Sequence, residues 1–435
     1  MNWRRVAQFS AVHVGVSITV VPVTGTLNRI MIADFGWSAL WVSVLVSLPY
    51  LLSPLQVLIG NWADRNPIGG RHRAPWIVLG GLMASFGCYF TAHAAYYAYD
   101  HPTAGALSTL GAFIIWGIGV NIASVSYLSL VSELSASQPG WRSRTVSIMW
   151  TAMILSTIGS SISLSVLLSP YSREALYNAL GIVWVVSSVL VLVGASNLEP
   201  KPTGTVTVRN RADNPLHAYA LLASNPSARR FFIYLLIVLI SIHAQDVLLE
   251  PFGAEVLRMP VSQTTRLASI WGAGVFLTLI GGLAVVAQLG KKRAANLGAA
   301  VAASAFISII VTGLLDHEPG FIFSIFILGL GGGLMTVSNL SFMLDMTVPQ
   351  AAGLYMGAWG VANFTGQALG NIISGLIRDV VLAITGMPAI GYVAVFGLEA
   401  AGLVIAILLF RRVSVEEFQR DAQVQLSDVL ALAGD

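Results

Sequence analysis

Charge is scarce in this chain. Asp, Glu, Lys and Arg supply 10% of its 435 residues, whereas a soluble domain carries about 25%. With 56% hydrophobic residues and a mean hydropathy of +0.77, the chain reads as a polytopic membrane protein. Cysteine is nearly absent. The single Cys88 lies in an apolar run, which excludes an internal disulfide and a cysteine-based metal site. The glycines of 329–333 lack the Lys-Ser/Thr that would complete a phosphate-binding loop. No nucleophile–base pair or cluster of metal ligands is legible, so no enzyme, catalytic residue or metal is expected. The net charge of +3 does not signal nucleic acid, because the cations follow topology. Met1-Asn2-Trp3-Arg4-Arg5 is a short basic start, and the run after it has no small-residue exit, so no cleavable signal peptide is expected.

What fills the chain is apolar runs. Twelve spans are expected, at 9–32, 39–60, 75–97, 105–131, 144–168, 175–195, 230–250, 265–289, 294–315, 320–344, 351–377 and 385–410. Each is long enough to cross a core of ~30 Å at about 1.5 Å per residue. With the N-terminus inside, 18 of the 23 cations fall on inner segments. Only Arg29, Arg173, Arg258, Arg266 and Arg378 fall on outer ends. The positive-inside rule then puts both termini in the cytoplasm. The expected architecture is an all-α membrane protein of two six-helix halves. The first half covers 1–195, a cytoplasmic linker 196–229, the second half 230–410 and a cytoplasmic tail helix 411–435.

Within the linker, Leu216, Tyr219, Leu222 and Ala223 recur at helical spacing and predict a short interfacial helix. In the tail, Ser414 and Glu417 form a candidate capping box. Phe418, Leu426, Val429 and Leu430 would face a membrane or a partner, unless the helix is simply solvated. The halves also echo each other. A shift of 229 brings Pro22 onto Pro251 and Arg29 onto Arg258; a shift of 230 brings His13 onto His243 and Gly60 onto Gly290.

Between the second and third spans lies Gly60-Asn61-Trp62-Ala63-Asp64-Arg65-Asn66-Pro67-Ile68-Gly69-Gly70-Arg71-His72-Arg73. This is the pattern of a tight inner hairpin. Gly60 would admit close backbone approach, Asp64 would pair with an arginine or a helix N-terminus, and Arg65, Arg71 and Arg73 would hold the loop inside. It resembles the G-x-x-x-D-R-x-x-x-R/K loop of the major facilitator superfamily, lengthened here by Asn66 and Pro67. That resemblance implies a twelve-span fold and a conformational role for the loop, and it says nothing about cargo.

Ionisable groups inside a membrane are candidates for function. His243, Asp246 and Glu250 in the seventh span fall at i, i+3 and i+7 and would share a face. Glu250-Pro251 would mark a helix break. Three readings stay open: proton coupling, binding a ligand's metal or polar head, or a structural network reaching Arg29 or Arg258. Asn363, Gln367, Gly370, Asn371, Ser374 and Arg378 form a stripe on the eleventh span that lines a cavity or packs on a neighbour. Gly329, Gly331, Gly332 and Gly333 in the tenth span are open to the same two readings. His13, His93 and His243 are each either a ligand for a chlorin magnesium or a hydrogen-bonding group between helices.

Leu27-Asn28-Arg29-Ile30-Met31-Ile32 with Asp34, then Gln245-Asp246-Val247-Leu248-Leu249-Glu250-Pro251-Phe252-Gly253 with Thr264-Thr265, then Gly353-Leu354-Tyr355-Met356-Gly357-Ala358-Trp359-Gly360, occur in order. They resemble the signatures of the bacteriochlorophyll delivery (PucC/LhaA-like) branch of the superfamily. Asn363 to Gln367 departs from that branch, where apolar or small residues are usual. The resemblance implies an assembly factor or carrier that hands (bacterio)chlorophyll, bound as cargo, to light-harvesting or reaction-centre apoproteins. It implies work beside pigment-synthesis enzymes in an inner or photosynthetic (intracytoplasmic or thylakoid) membrane. Asn28 and Arg29 join His243, Asp246, Glu250, Asn363, Gln367 and Asn371 as candidates for cargo binding or coupling. Two alternatives stand beside it: a proton-coupled transporter of a small amphipathic solute, and a non-transporting scaffold of a pigment–protein complex.

Overall fold

A computed structural model describes residues 2–136, 139–200, 225–347 and 352–420. In lipid every backbone polar group must be satisfied within its own segment, which leaves helices as the route for apolar runs of this length. Among the described residues, eleven helices are long and apolar enough to cross a membrane. They are span 1 (Trp3–Asp34), span 3 (Ala74–Asp100), span 4 (Pro102–Leu134), span 5 (Gly140–Leu167), span 6 (Arg173–Ala195), span 7 (Pro226–Glu255), span 8 (Val261–Leu289), span 9 (Lys291–Leu314), span 10 (Glu318–Asp345), span 11 (Ala352–Thr385) and span 12 (Pro388–Phe410).

Span 2 differs from the unbroken run expected at 39–60. It is three helices, Ala39–Val46, Leu48–Leu51 and Leu55–Arg65. Pro49 and Pro54 lack the N–H that would continue the helix. The break is held in place by Asn121 of span 4, whose Nδ2 donates to the Pro49 carbonyl at 2.8 Å. The chain is thus a twelve-span bundle in two halves of six. One end carries both chain ends of the bundle, Trp3 and Phe410 (the terminal end); the opposite end is the far end.

Small residues set the closest helix contacts, as expected where lipid removes the hydrophobic drive between helices. A Cβ on Gly87 of span 3 would lie 2.6 Å from the Trp116 nitrogen of span 4. One on Gly331 of span 10 would lie 2.6 Å from the Ala302 nitrogen of span 9. The glycines of span 10 therefore serve packing: Gly329 abuts Trp271 and Gly333 abuts Val275. Gly60 does not meet the expectation of close approach. A Cβ there would make only ordinary contact, 3.7 Å from Val125.

The hairpin after span 2 turns at Gly69 and Gly70, with φ of +60° and +75°. Ile68 and Arg71 exchange backbone hydrogen bonds of 3.0 and 3.1 Å across them, the two-residue reversal that two positive φ values allow. The acid at the start of span 3 is Glu199, at the exit of span 6. Its carboxylate accepts from the backbone nitrogens of His72, Arg73 and Ala74 at 2.7–2.9 Å. Buried Arg73 pairs with Glu133 of span 4 at 3.0 Å, and Arg71 Nη2 donates to Asn197 at 3.5 Å. Arg65 is exposed. The side chain of Asp64 lies outside the described set, as do the linker's expected helix at 216–223 and the tail's Leu426, Val429 and Leu430. Ser414 caps the tail helix by accepting from the Glu417 nitrogen at 3.2 Å. The other half of the expected box does not form, because the Glu417 carboxylate turns to Ser227 and Arg230. Phe418 is buried against Tyr355.

Candidate functional site

Span 7 is the most interrupted helix of the second half. It runs as Pro226–His243, a turn at Ala244, and Gln245–Glu255. The expected break at Glu250-Pro251 is absent, and Pro251 sits inside the second piece. A proline in a helix leaves the carbonyl four residues before it without its usual donor. Here that is Val247, and its oxygen accepts from Asn28 Nδ2 of span 1 at 2.7 Å. Span 1 is itself irregular at this level, with wide π turns over Pro22–Leu27 and Ile30–Asp34. The Thr26 and Thr265 hydroxyls meet at 3.0 Å. Gly25 leaves room for Glu250, whose Oε1 would lie 3.3 Å from a Cβ at that position. The Leu27-Asn28-Arg29 stretch, the Gln245–Gly253 stretch and Thr264-Thr265, far apart in sequence, therefore meet at the junction of the halves. Gly353–Gly360 lies apart from them at the terminal end, where Trp359 packs on Phe231 at 4.9 Å between ring centroids.

The expected face of His243, Asp246 and Glu250 divides. His243 Nδ1 and Asp246 Oδ2 are 2.8 Å apart, and Gln245 Nε2 donates to Asp246 Oδ1 at 2.5 Å. Gln367 of span 11 comes within 3.4 Å of His243 Nε2. Glu250 is buried, points toward span 1 and makes no hydrogen bond to that pair; its Oε2 has no partner among the described residues. The recess at Gly25 of span 1 receives the Glu250 carboxylate, while Asp246 is engaged by His243 and Gln245. Neither Arg29 nor Arg258 reaches these acids. Arg29 pairs with Asp34 of its own span.

The span 11 stripe is a packing face. Gly370 lies against the Ile240 carbonyl, Asn371 Nδ2 donates to Ser47 of span 2 at 3.1 Å, and Asn363 donates to its own Trp359 carbonyl. Arg378 pairs with Glu255 at 2.7 Å, and Tyr392 donates to the same carboxylate at 2.9 Å. Next to it, Asp379 caps span 2, accepting from Ser38 Oγ at 2.6 Å and from the Ala39 and Leu40 nitrogens at 3.1 and 2.9 Å. Ser161 of span 5 donates to the Thr265 carbonyl at 2.7 Å and accepts from the Ser269 nitrogen at 3.1 Å. Between the described residues of the two halves, the hydrogen bonds thus run from the middle of the bundle to the far end.

The histidines differ in what they have free. His13 Nδ1 lies 2.7 Å from the Tyr127 hydroxyl, and its Nε2 is buried without a partner among the described residues. His93 is half-buried and stacks on Tyr177 at 3.9 Å beside exposed Phe86 and Trp184. Both nitrogens of His243 face polar neighbours. A groove of about 450 Å³ opens along the seam of spans 5, 8 and 10. Ile158, Ile162, Ile270, Phe323 and Phe326 line it, with Arg266 and Ser269 as its polar groups. Arg266 is exposed and has no acidic partner among the described residues. One buried ionisable group escaped the sequence reading. Glu399 of span 12 is 3% exposed, and neither carboxylate oxygen has a hydrogen-bond partner among the described residues. A lone acid in an apolar run of 23 residues was the signal that marks it.

Twelve spans in two halves, joined through broken helices at mid-depth, define a membrane protein of the major facilitator type. Solved structures share the fold. The nucleoside transporter NupG aligns with a TM-score of 0.69 at 16% identity, over 94% of this chain and 98% of that one. A bacterial homologue of the iron transporter ferroportin, in an inward-facing state, aligns at 0.70 and 10% identity, over 95% and 99%. A family model described as PUCC protein matches residues 26–418, and the chain belongs to that family. Protein PucC of Cereibacter sphaeroides is 28% identical over 93% of this chain and 91% of its own length. Protein PucC of Rhodobacter capsulatus is 26% identical over 93% and 90%. A Rhodobacter capsulatus protein named bacteriochlorophyll synthase 44.5 kDa chain is 26% identical over 94% and 95%.

Proposed function

We propose that this protein is an assembly factor of a photosynthetic membrane that hands a (bacterio)chlorophyll-type pigment to the apoproteins of a light-harvesting or reaction-centre complex. The observation that carries the reading is the family match across 26–418, joined to a full-length relative whose name refers to bacteriochlorophyll. The geometry is compatible with it. A chlorin with an isoprenoid tail is flat, mostly apolar and dissolved in the bilayer, so its carrier needs a lateral groove with few polar anchors. The seam of spans 5, 8 and 10 is lined mainly by apolar side chains with Arg266 and Ser269 as its polar groups, which supports the reading. The same seam joins the two halves through Ser161, so loading there acts on the junction that holds them. His93 keeps a ring nitrogen on the half-buried face between spans 3 and 6, apart from that seam, as a second place for a pigment's magnesium, whereas the free nitrogen of His13 is buried. The protein acts as a carrier and not as an enzyme, with both termini in the cytoplasm.

Deletion in the native phototroph tests this. Light-harvesting complexes should fall several-fold while pigment synthesis continues, and Arg266→Ala should reproduce part of the loss. Unchanged complex levels together with loss of a solute flux would contradict the reading.

A further inference from the structure

Glu399 lies where a charge is hardest to keep. It sits midway along span 12, an otherwise apolar helix packed on spans 7, 9 and 11. Gly402, one turn nearer the terminal end, makes room for the Ser241 hydroxyl of span 7, and Tyr392, two turns the other way, meets Glu255. Glu399 therefore stands level with the Ala244 break. An ionised carboxylate that is fully buried must be paired and hydrogen-bonded, because leaving it bare costs several kcal/mol or more. Among the described residues no cation answers it. On the helices packed against it, the charged and titratable groups at this depth are His243, Asp246 and Glu250. Lys291, Lys292 and Arg293 lie at the terminal end of span 9, and Arg378 and Asp379 at the far end of span 11. Arg378 is already committed to Glu255 and Asp379. Among the described residues no three His, Cys, Asp or Glu side chains converge on a metal-sized site.

We propose that Glu399 is a proton-binding site of the second half, and that its proton holds span 12 against span 7 at the level of Ala244. The neutral acid is the form that the pocket accommodates. Loss of the proton leaves a bare carboxylate in an apolar enclosure with no cation among the described residues to balance it. The strain is relieved by movement of span 12 relative to span 7, whose Val247 carbonyl already lacks its helical donor because of Pro251. His243 and Asp246, on the neighbouring face of span 7, are partly exposed, with side chains 23% and 34% accessible. This inference is independent of pigment and holds whatever the cargo.

The test is infrared spectroscopy of the full-length protein in proteoliposomes, with a second readout by cysteine labelling. A carboxylic-acid C=O band should be present at neutral pH in Glu250→Gln, where the other buried acid of this half is removed, persist on adding Asp246→Asn and vanish on adding Glu399→Gln. In a Cys88→Ser background, labelling of Ile242→Cys should change with pH, and adding Glu399→Gln should abolish that dependence. A band that survives Glu399→Gln in the Glu250→Gln background, or that is removed by sodium at constant pH, overturns the proton site. Labelling that keeps its pH dependence in Glu399→Gln overturns the link to span 7. Should Glu399→Gln fail to fold, Glu399→Asp must shift the band, and an unshifted band has the same adverse meaning.

Discussion

At the scale of single residues, the junction rests on a proline and an asparagine that the sequence keeps 223 positions apart. Pro251 withholds a backbone donor from Val247, and Asn28 supplies one from the other half. Asn28→Ala should cost about 1 kcal/mol, in the range of hydrogen bonds between membrane helices, read as lowered thermal stability in detergent. The loss should shrink in a Pro251→Ala background, where residue 251 regains an N–H for the Val247 carbonyl. An equal loss in both backgrounds would contradict the account. Asn28, His243, Asp246, Glu250 and Gln367 were legible as polar residues in apolar runs. Their partners were not, because helical periodicity gives a face and says nothing of which helix it meets. Glu250 shows the limit: its spacing put it with His243 and Asp246, but the recess at Gly25 receives its carboxylate at span 1. Glu199 was missed for a related reason. It lies just past a span, where an acid reads as an ordinary loop charge, yet it caps span 3.

At the scale of elements, proline acts differently by context. In span 2, Pro49 and Pro54 break the helix into three. In span 7, Pro251 lies within a continuous piece because a neighbouring span serves the freed carbonyl. The runs of hydropathy showed where spans begin and end, but not that span 2 is interrupted, since an apolar run looks the same whether its helix is continuous or broken. The far-end contact between spans 2 and 11 depends on Asp379, which accepts three hydrogen bonds at the start of span 2. Removing an N-terminal cap of this kind costs about 1–2 kcal/mol. Asp379→Ala should lower stability by that amount. In a Cys88→Ser background it should also raise maleimide labelling of Leu40→Cys. Unchanged labelling would show that the cap does not hold the halves together.

At the scale of the whole molecule, charge bias and the six-plus-six count were readable because lipid punishes misplaced charge and unpaired backbone so heavily that few architectures remain. The three sequence stretches that gave the family resemblance were readable as a set, and two of them prove to be neighbours across the junction of the halves. What no run of residues could show is the groove between spans 5, 8 and 10, which exists only once the halves are docked. It ties the fold to the proposed cargo.

The most direct measurement is the absorption spectrum and pigment extract of the protein purified in mild detergent from its native membrane, compared with Arg266→Ala and His93→Ala. The account predicts a chlorin bound at fixed stoichiometry and reduced by at least one of these substitutions. A colourless preparation that brings down no light-harvesting or reaction-centre subunit would contradict it.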